Sequence, residues 1–173
     1  MAEILPNMGR PADVYEPLNV DHLYRDPVAP LPVYLVVWGG DRNVPPQDRH
    51  WAIVWKVGVG STGADVHRQL EVVRELGPTG ELDHLTNWGP KTRTSDSQTM
   101  TATFVPIGVF SYQQRQWLEQ LASAEPVLKP NGWWNCQHWV VSILVKCIQG
   151  NLLSRPHVEA VLAKAGWTAP LMF

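Results

Sequence analysis

Cysteine is scarce, with 2 in 173 residues. Cys136 and Cys147 stand eleven positions apart on what reads as one helix. At about 1.5 Å per residue that is roughly 16 Å, far beyond disulfide reach. A disulfide framework is excluded, and a reducing, cytoplasmic compartment is the expectation. Long apolar runs are missing too, and Met-Ala-Glu-Ile-Leu-Pro at the start has neither the basic residues nor the apolar core of a signal peptide; no membrane anchor is expected. Charge of one sign is not in excess: the net charge is -2, with no basic stripe, so nucleic acid and anionic membranes are poor partners. Paired Cys or His at zinc spacing, a P-loop, a Gly-rich dinucleotide turn and a G-x-S-x-G elbow are all absent, so no metal site and no cofactor are expected.

What is present suits one domain with a real core. Residues 1–30 carry Pro6, Pro11, Pro17, Pro27 and Pro30 without an apolar period and read as an extended N-terminal arm. Residues 31–173 form the single domain. Leu31 to Trp38, ended by Gly39-Gly40-Asp41, reads as a buried strand. In His50 to Val57, alternation puts Trp51, Ile53, Trp55 and Val57 on one face and His50, Ala52, Val54 and Lys56 on the other. Asp65 to Val73 can pair back, carrying His67, Gln69 and Glu71 together. Leu82 to Trp88 suggests a short strand, Gly89 to Ser97 a polar loop that could form a lid, and Thr101 to Phe110 a further strand. Helices are expected after Ser111 and after Ser154, the last ending at Gly166. A strand-rich middle followed by helices makes an α+β fold, an antiparallel sheet with helices packed on it.

The most informative stretch is Asn131-Gly132-Trp133-Trp134-Asn135-Cys136-Gln137-His138-Trp139. Cys136, Val140, Ile143, Leu144, Cys147 and Ile148 share one helical face, so a helix should start near Asn135 with Cys136 in its first turn. The unpaired N–H groups and the positive end of the helix dipole favour a thiolate there and could stabilise an oxyanion. A free cysteine is also a common core residue. Nucleophilic use requires a base, usually imidazole, and His50, at the start of a strand able to pack on this helix, is the candidate. His67, on the neighbouring strand, could orient it. His138 lies about 200° around the helix from Cys136 and should not reach the thiol. Of the nine Trp, Trp51 and Trp55 read as core, whereas Trp133 and Trp134 could instead line a substrate pocket.

His50-Trp51-Ala52-Ile53-Val54, Val66-His67 and Asn135-Cys136-Gln137-His138-Trp139-Val140 resemble, in order, the boxes of the lecithin:retinol acyltransferase and phospholipase A/acyltransferase family. The resemblance implies a circularly permuted papain-like fold, with Cys136 as nucleophile, His50 as general base and His67 as the orienting third residue. It implies acyl transfer from an ester or amide through a thioester to water, an amine or an alcohol. The partners would be a small-molecule acyl donor and acceptor, with Trp133, Trp134 and Gln137 as substrate contacts. Gln137 stands where the family carries Glu, and no counterpart of the family's C-terminal membrane helix is expected. A papain-like peptidase or deamidase acting on a protein or peptide, and an inactive descendant kept as a binding module, remain alternatives at this stage.

Overall fold

The computed structural model describes residues 3–172. Five strands make one antiparallel sheet: β1 (Leu31–Trp38), β2 (His50–Val59), β3 (Asp65–Leu70), β6 (Lys91–Thr94) and β7 (Thr103–Phe110), in the order β6-β3-β2-β1-β7. A separate two-stranded ribbon pairs β4 (Leu76–Gly77) with β5 (Gly80–Glu81). The helices are α1 (Ser97–Met100), α2 (Tyr112–Ala124), α3 (Cys136–Gln149) and α4 (Arg155–Ala165). The fold is α+β, as the element pattern implies. Among the described residues no helix is long and apolar enough to cross a membrane.

The alternation read in β2 sorts the two faces of the sheet. Trp51, Ile53 and Trp55 are fully buried and join Val140, Ile143, Leu144 and Cys147 of α3 in the main core, with α3 laid on β2. On the other face Ala52 and Val54 form a smaller cluster with Val36, against which Tyr34, Trp38 and Phe104 pack. A strand with both faces covered reads as a nearly continuous apolar run, which is what Trp51 to Trp55 is.

Two segments depart from the sequence reading. Residues 82–88 make no strand, only a bridge from Thr86 to Val73; there the backbone satisfies itself pairwise while Asn87 Nδ2 donates to Ala122 O and Glu125 O. Within 89–97, expected to be a free loop, Lys91 to Thr94 instead forms an edge strand on β3, because the polar side chains find partners. Lys91 pairs with Glu16, and the Thr92 N–H donates to Asn19 Oδ1 at 2.9 Å.

The Pro-rich arm is docked onto the domain along its path. Leu5 N–H donates to Val127 O, Val20 N–H to Thr92 O, and Asp26 pairs with the fully buried Arg115.

Candidate active site

The start of α3 is built by its own sequence. Asn131 Oδ1 accepts from the N–H groups of Trp133 and Trp134, and Gly132 at φ +83 turns the chain where a side chain would be strained. Asn135 then caps the helix: its Oδ1 accepts from Gln137 and His138 N–H, and the Asn135 N–H donates to His138 Nδ1, closing a capping box. Cys136 is therefore the first helical residue. Because the cap occupies the next two donors, the Cys136 N–H is the first-turn donor it leaves unused.

The same helix end grips the segment that delivers His50. Asn135 Nδ2 donates to Gln47 O at 3.0 Å, and Gln137 Nε2 donates to Pro46 O and Arg49 O at 2.6 and 2.9 Å. These bonds hold residues 46–49 against the first turn, so the next residue, His50, stands beside Cys136. The thiol lies 3.8 Å from Arg49 O, near enough to the His50 ring to act on its charge.

His50 Nε2 meets Glu71 Oε2 at 2.7 Å, which leaves Nδ1 as the ring nitrogen not engaged by Glu71. Its ring also leans on Trp38, with centroids 5.3 Å apart. Burial of His50 opposes its charge. The Cys136 thiol and the Glu71 carboxylate beside the ring outweigh that penalty and raise its pKa to about 10. Glu71 is buried, which alone would favour its neutral form, yet the hydrogen bond and charge of His50 and the charge of Arg93 hold it below the usual carboxylate range. Arg93 Nη1 lies 3.4 Å from Glu71 Oε1, too poorly aligned to make a hydrogen bond. Cys147, on the same helix, is fully buried, and burial pushes its thiol up to about 12. Cys136, by contrast, is half-buried.

The structure brings Cys136 and His50 together and keeps His67 away from them. β2 and β3 are antiparallel, with Lys56 opposite His67 and Ile53 opposite Leu70. The start of β2 therefore faces the end of β3, and His67 lies opposite a position six residues along from His50, about 20 Å at 3.3 Å per residue. Glu71 occupies the place expected of His67. The alternation that grouped His67, Gln69 and Glu71 already placed this carboxylate on the right face, and counting residues through the hairpin would have selected it.

The three expected substrate contacts divide as well. Gln137 is only 4 % exposed, and its amide is spent on the two backbone carbonyls. Trp134 packs against the core, whereas Trp133 is 58 % exposed and stacks edge-on with His138 at 5.0 Å. A cavity of about 340 Å³ opens on the His50–Glu71 side, walled by Trp38, Arg42, Gln69, Arg93, Gln98 and Thr99 among others. No protein-family profile, curated protein or solved structure matches the chain.

Proposed function

We propose that the protein is a cysteine-dependent acyl transferase or hydrolase, with Cys136 as nucleophile, His50 as general acid and base, and Glu71 as the group that orients His50. The observation that carries this reading is that Cys136 stands beside His50, whose Nε2 is hydrogen-bonded to Glu71, at the junction of a helix N-terminus with a strand start. Such an arrangement is the general signature of an activated nucleophile. The reaction class comes from the resemblance to the lecithin:retinol acyltransferase-like family, from which the arrangement departs at the third residue, where Glu71 stands in place of His67.

The chemistry runs in two steps. The Cys136 sulfur, its proton held by His50, attacks the carbonyl carbon of an ester or amide. The oxyanion forms near the α3 N-terminus, where the Cys136 N–H can donate to it. Collapse breaks the bond to the leaving group, which takes the proton from His50, and leaves a thioester on Cys136. Water, an amine or an alcohol, deprotonated by His50, then attacks the thioester and releases the thiol. Glu71 keeps its own proton off throughout and stabilises the imidazolium that each step requires.

The roughly 340 Å³ cavity beside His50 is walled by His50 and Glu71 but not by Cys136, so the substrate class, a small ester or amide, is taken from the resemblance. Cytoplasmic residence remains an expectation from the thiol chemistry. The test is iodoacetamide labelling of the folded protein across pH, with the adduct located by mass spectrometry, followed by screening of p-nitrophenyl esters. Selective labelling of Cys136 at neutral pH, together with ester turnover lost in Cys136→Ala, is the expected result. A thiol that labels only as an ordinary free cysteine does, with no ester turnover, would sink the reading.

A further inference from the structure

The proposed reaction leaves His67 unused. The residue is only 6 % exposed. Its Nδ1 is engaged by Ser95 Oγ at 2.8 Å, and among the described residues Nε2 has no hydrogen-bond partner. The indole nitrogens of Trp51, Trp88 and Trp167 are also without partners, but they are sealed in the protein. His67 instead forms the shared wall of two cavities. One, of about 340 Å³, is lined by Gly63, Ser95, Thr99 and Met100; the other, of about 680 Å³, by Leu31, Pro32, Tyr34 and Val57. Asp65 and Phe104 border both.

The surroundings specify what could occupy this space. Lys56 Nζ and Asp65 Oδ1 are 2.5 Å apart and cancel each other. Burial pushes His67 below the ordinary histidine range, helped by Lys56 and opposed by Asp65. No net charge is left to draw in an ion, and a charged ligand would lose its hydration without a counter-charge. The walls are aromatic: Tyr34 and Phe104 meet edge-on at 5.7 Å, and His67 lies 5.8 Å from Phe104. Apolar walls with a few polar groups are typical of a small-molecule site; among the described residues Lys56 pairs with Asp65, Ser95 with His67 Nδ1 and Thr99 with Asp96, which leaves His67 Nε2 and the Tyr34 hydroxyl for a ligand. A hydroxyl both donates and accepts, so it satisfies Nε2 in either tautomer of the imidazole.

We propose that this pocket binds a neutral, flat aromatic molecule bearing one hydroxyl group, hydrogen-bonded to His67 Nε2. The site is separate from the thiol–imidazole pair: His67 is four residues from Glu71 along the strand, about 13 Å. The cavity beside His50 shares only Thr99 with the smaller of the two cavities.

The experiment is a titration of the full chain with 1-naphthol and with naphthalene, followed by saturation-transfer NMR and by the His67 ring resonances of histidine-labelled protein. Saturable binding of 1-naphthol is expected, about three- to tenfold tighter than naphthalene, the range of one hydrogen bond, with the His67 resonances moving. His67→Phe should abolish the preference, and protein alkylated at Cys136 should keep it. The unmutated protein provides the comparison of the two ligands and the His67 resonances even if the variant fails to fold. Equal affinity for both compounds, unmoved His67 resonances, a preference that survives His67→Phe, or binding lost on alkylation of Cys136 would each overturn the assignment.

Discussion

His50 is held charged by what it touches rather than by where it sits. Replacing Glu71 with Gln removes one hydrogen bond and one charge, so the His50 titration should fall from about 10; NMR of the His50 Cε1 proton measures it. His50→Gln should slow alkylation of Cys136 at pH 7 at least about tenfold, because the thiol loses the neighbouring imidazole that takes its proton. Cys147 should stay unlabelled in either variant until the protein unfolds, because its thiol is buried. The same shifts couple folding to pH. The raised His50 pKa contributes stability that is complete below its ordinary value of 6.5 and fades as pH rises through about 10. The lowered Glu71 pKa contributes stability present above 4.5 and lost as pH falls through its folded value. Chemical denaturation at a series of pH values should therefore show the wild-type advantage over His50→Gln narrowing between pH 6.5 and 10.

At the scale of the element, the first turn of α3 positions both members of the pair. Asn135 caps the helix that carries the thiol and, with Gln137, anchors the segment that carries His50. Asn135→Ala should cost about 1 kcal/mol for the cap. Gln137→Glu is the sharper test, because two carbonyl acceptors require a donor and an ionised carboxylate has none. It should destabilise by about 1–3 kcal/mol in urea unfolding and slow Cys136 alkylation. Gln137→Met, which keeps the volume, should unfold less readily than Gln137→Glu. Gln rather than Glu at this position thus has a physical reason in this chain.

At the scale of the molecule, the arm and the domain share one buried ion pair. Arg115 is fully buried and reaches Asp26 through Nε and Nη2, while its other donors serve the carbonyls of Pro27, Ala29 and Phe110. Trp55 Nε1 also donates to Asp26 Oδ1. Removing one partner of a buried pair leaves the other charge uncompensated, so Asp26→Ala should cost about 3–5 kcal/mol. Limited proteolysis should then cut within residues 10–30 at protease levels that spare the wild type. Cys136 and His50 lie on other elements, and Cys136 should keep its alkylation rate in whatever fraction remains folded.

The sequence by itself determined the elements whose signals are local. Apolar alternation drew β1, β2 and β7, and the Asn135 cap with its apolar face drew α3 and put Cys136 in the first turn. Ser111 marked the start of α2, and Ser154 and Gly166 bounded α4. Tertiary structure decided what depends on pairing across the chain. The hairpin register, not residue type, put Glu71 beside His50 and sent His67 to a separate pocket. Long-range partners likewise turned the polar stretch at 91–94 into an edge strand and tied down the Pro-rich arm. Periodicity and capping act over a few residues and are written in the sequence; which polar side chains meet depends on register, and register is fixed only when the sheet and the core assemble.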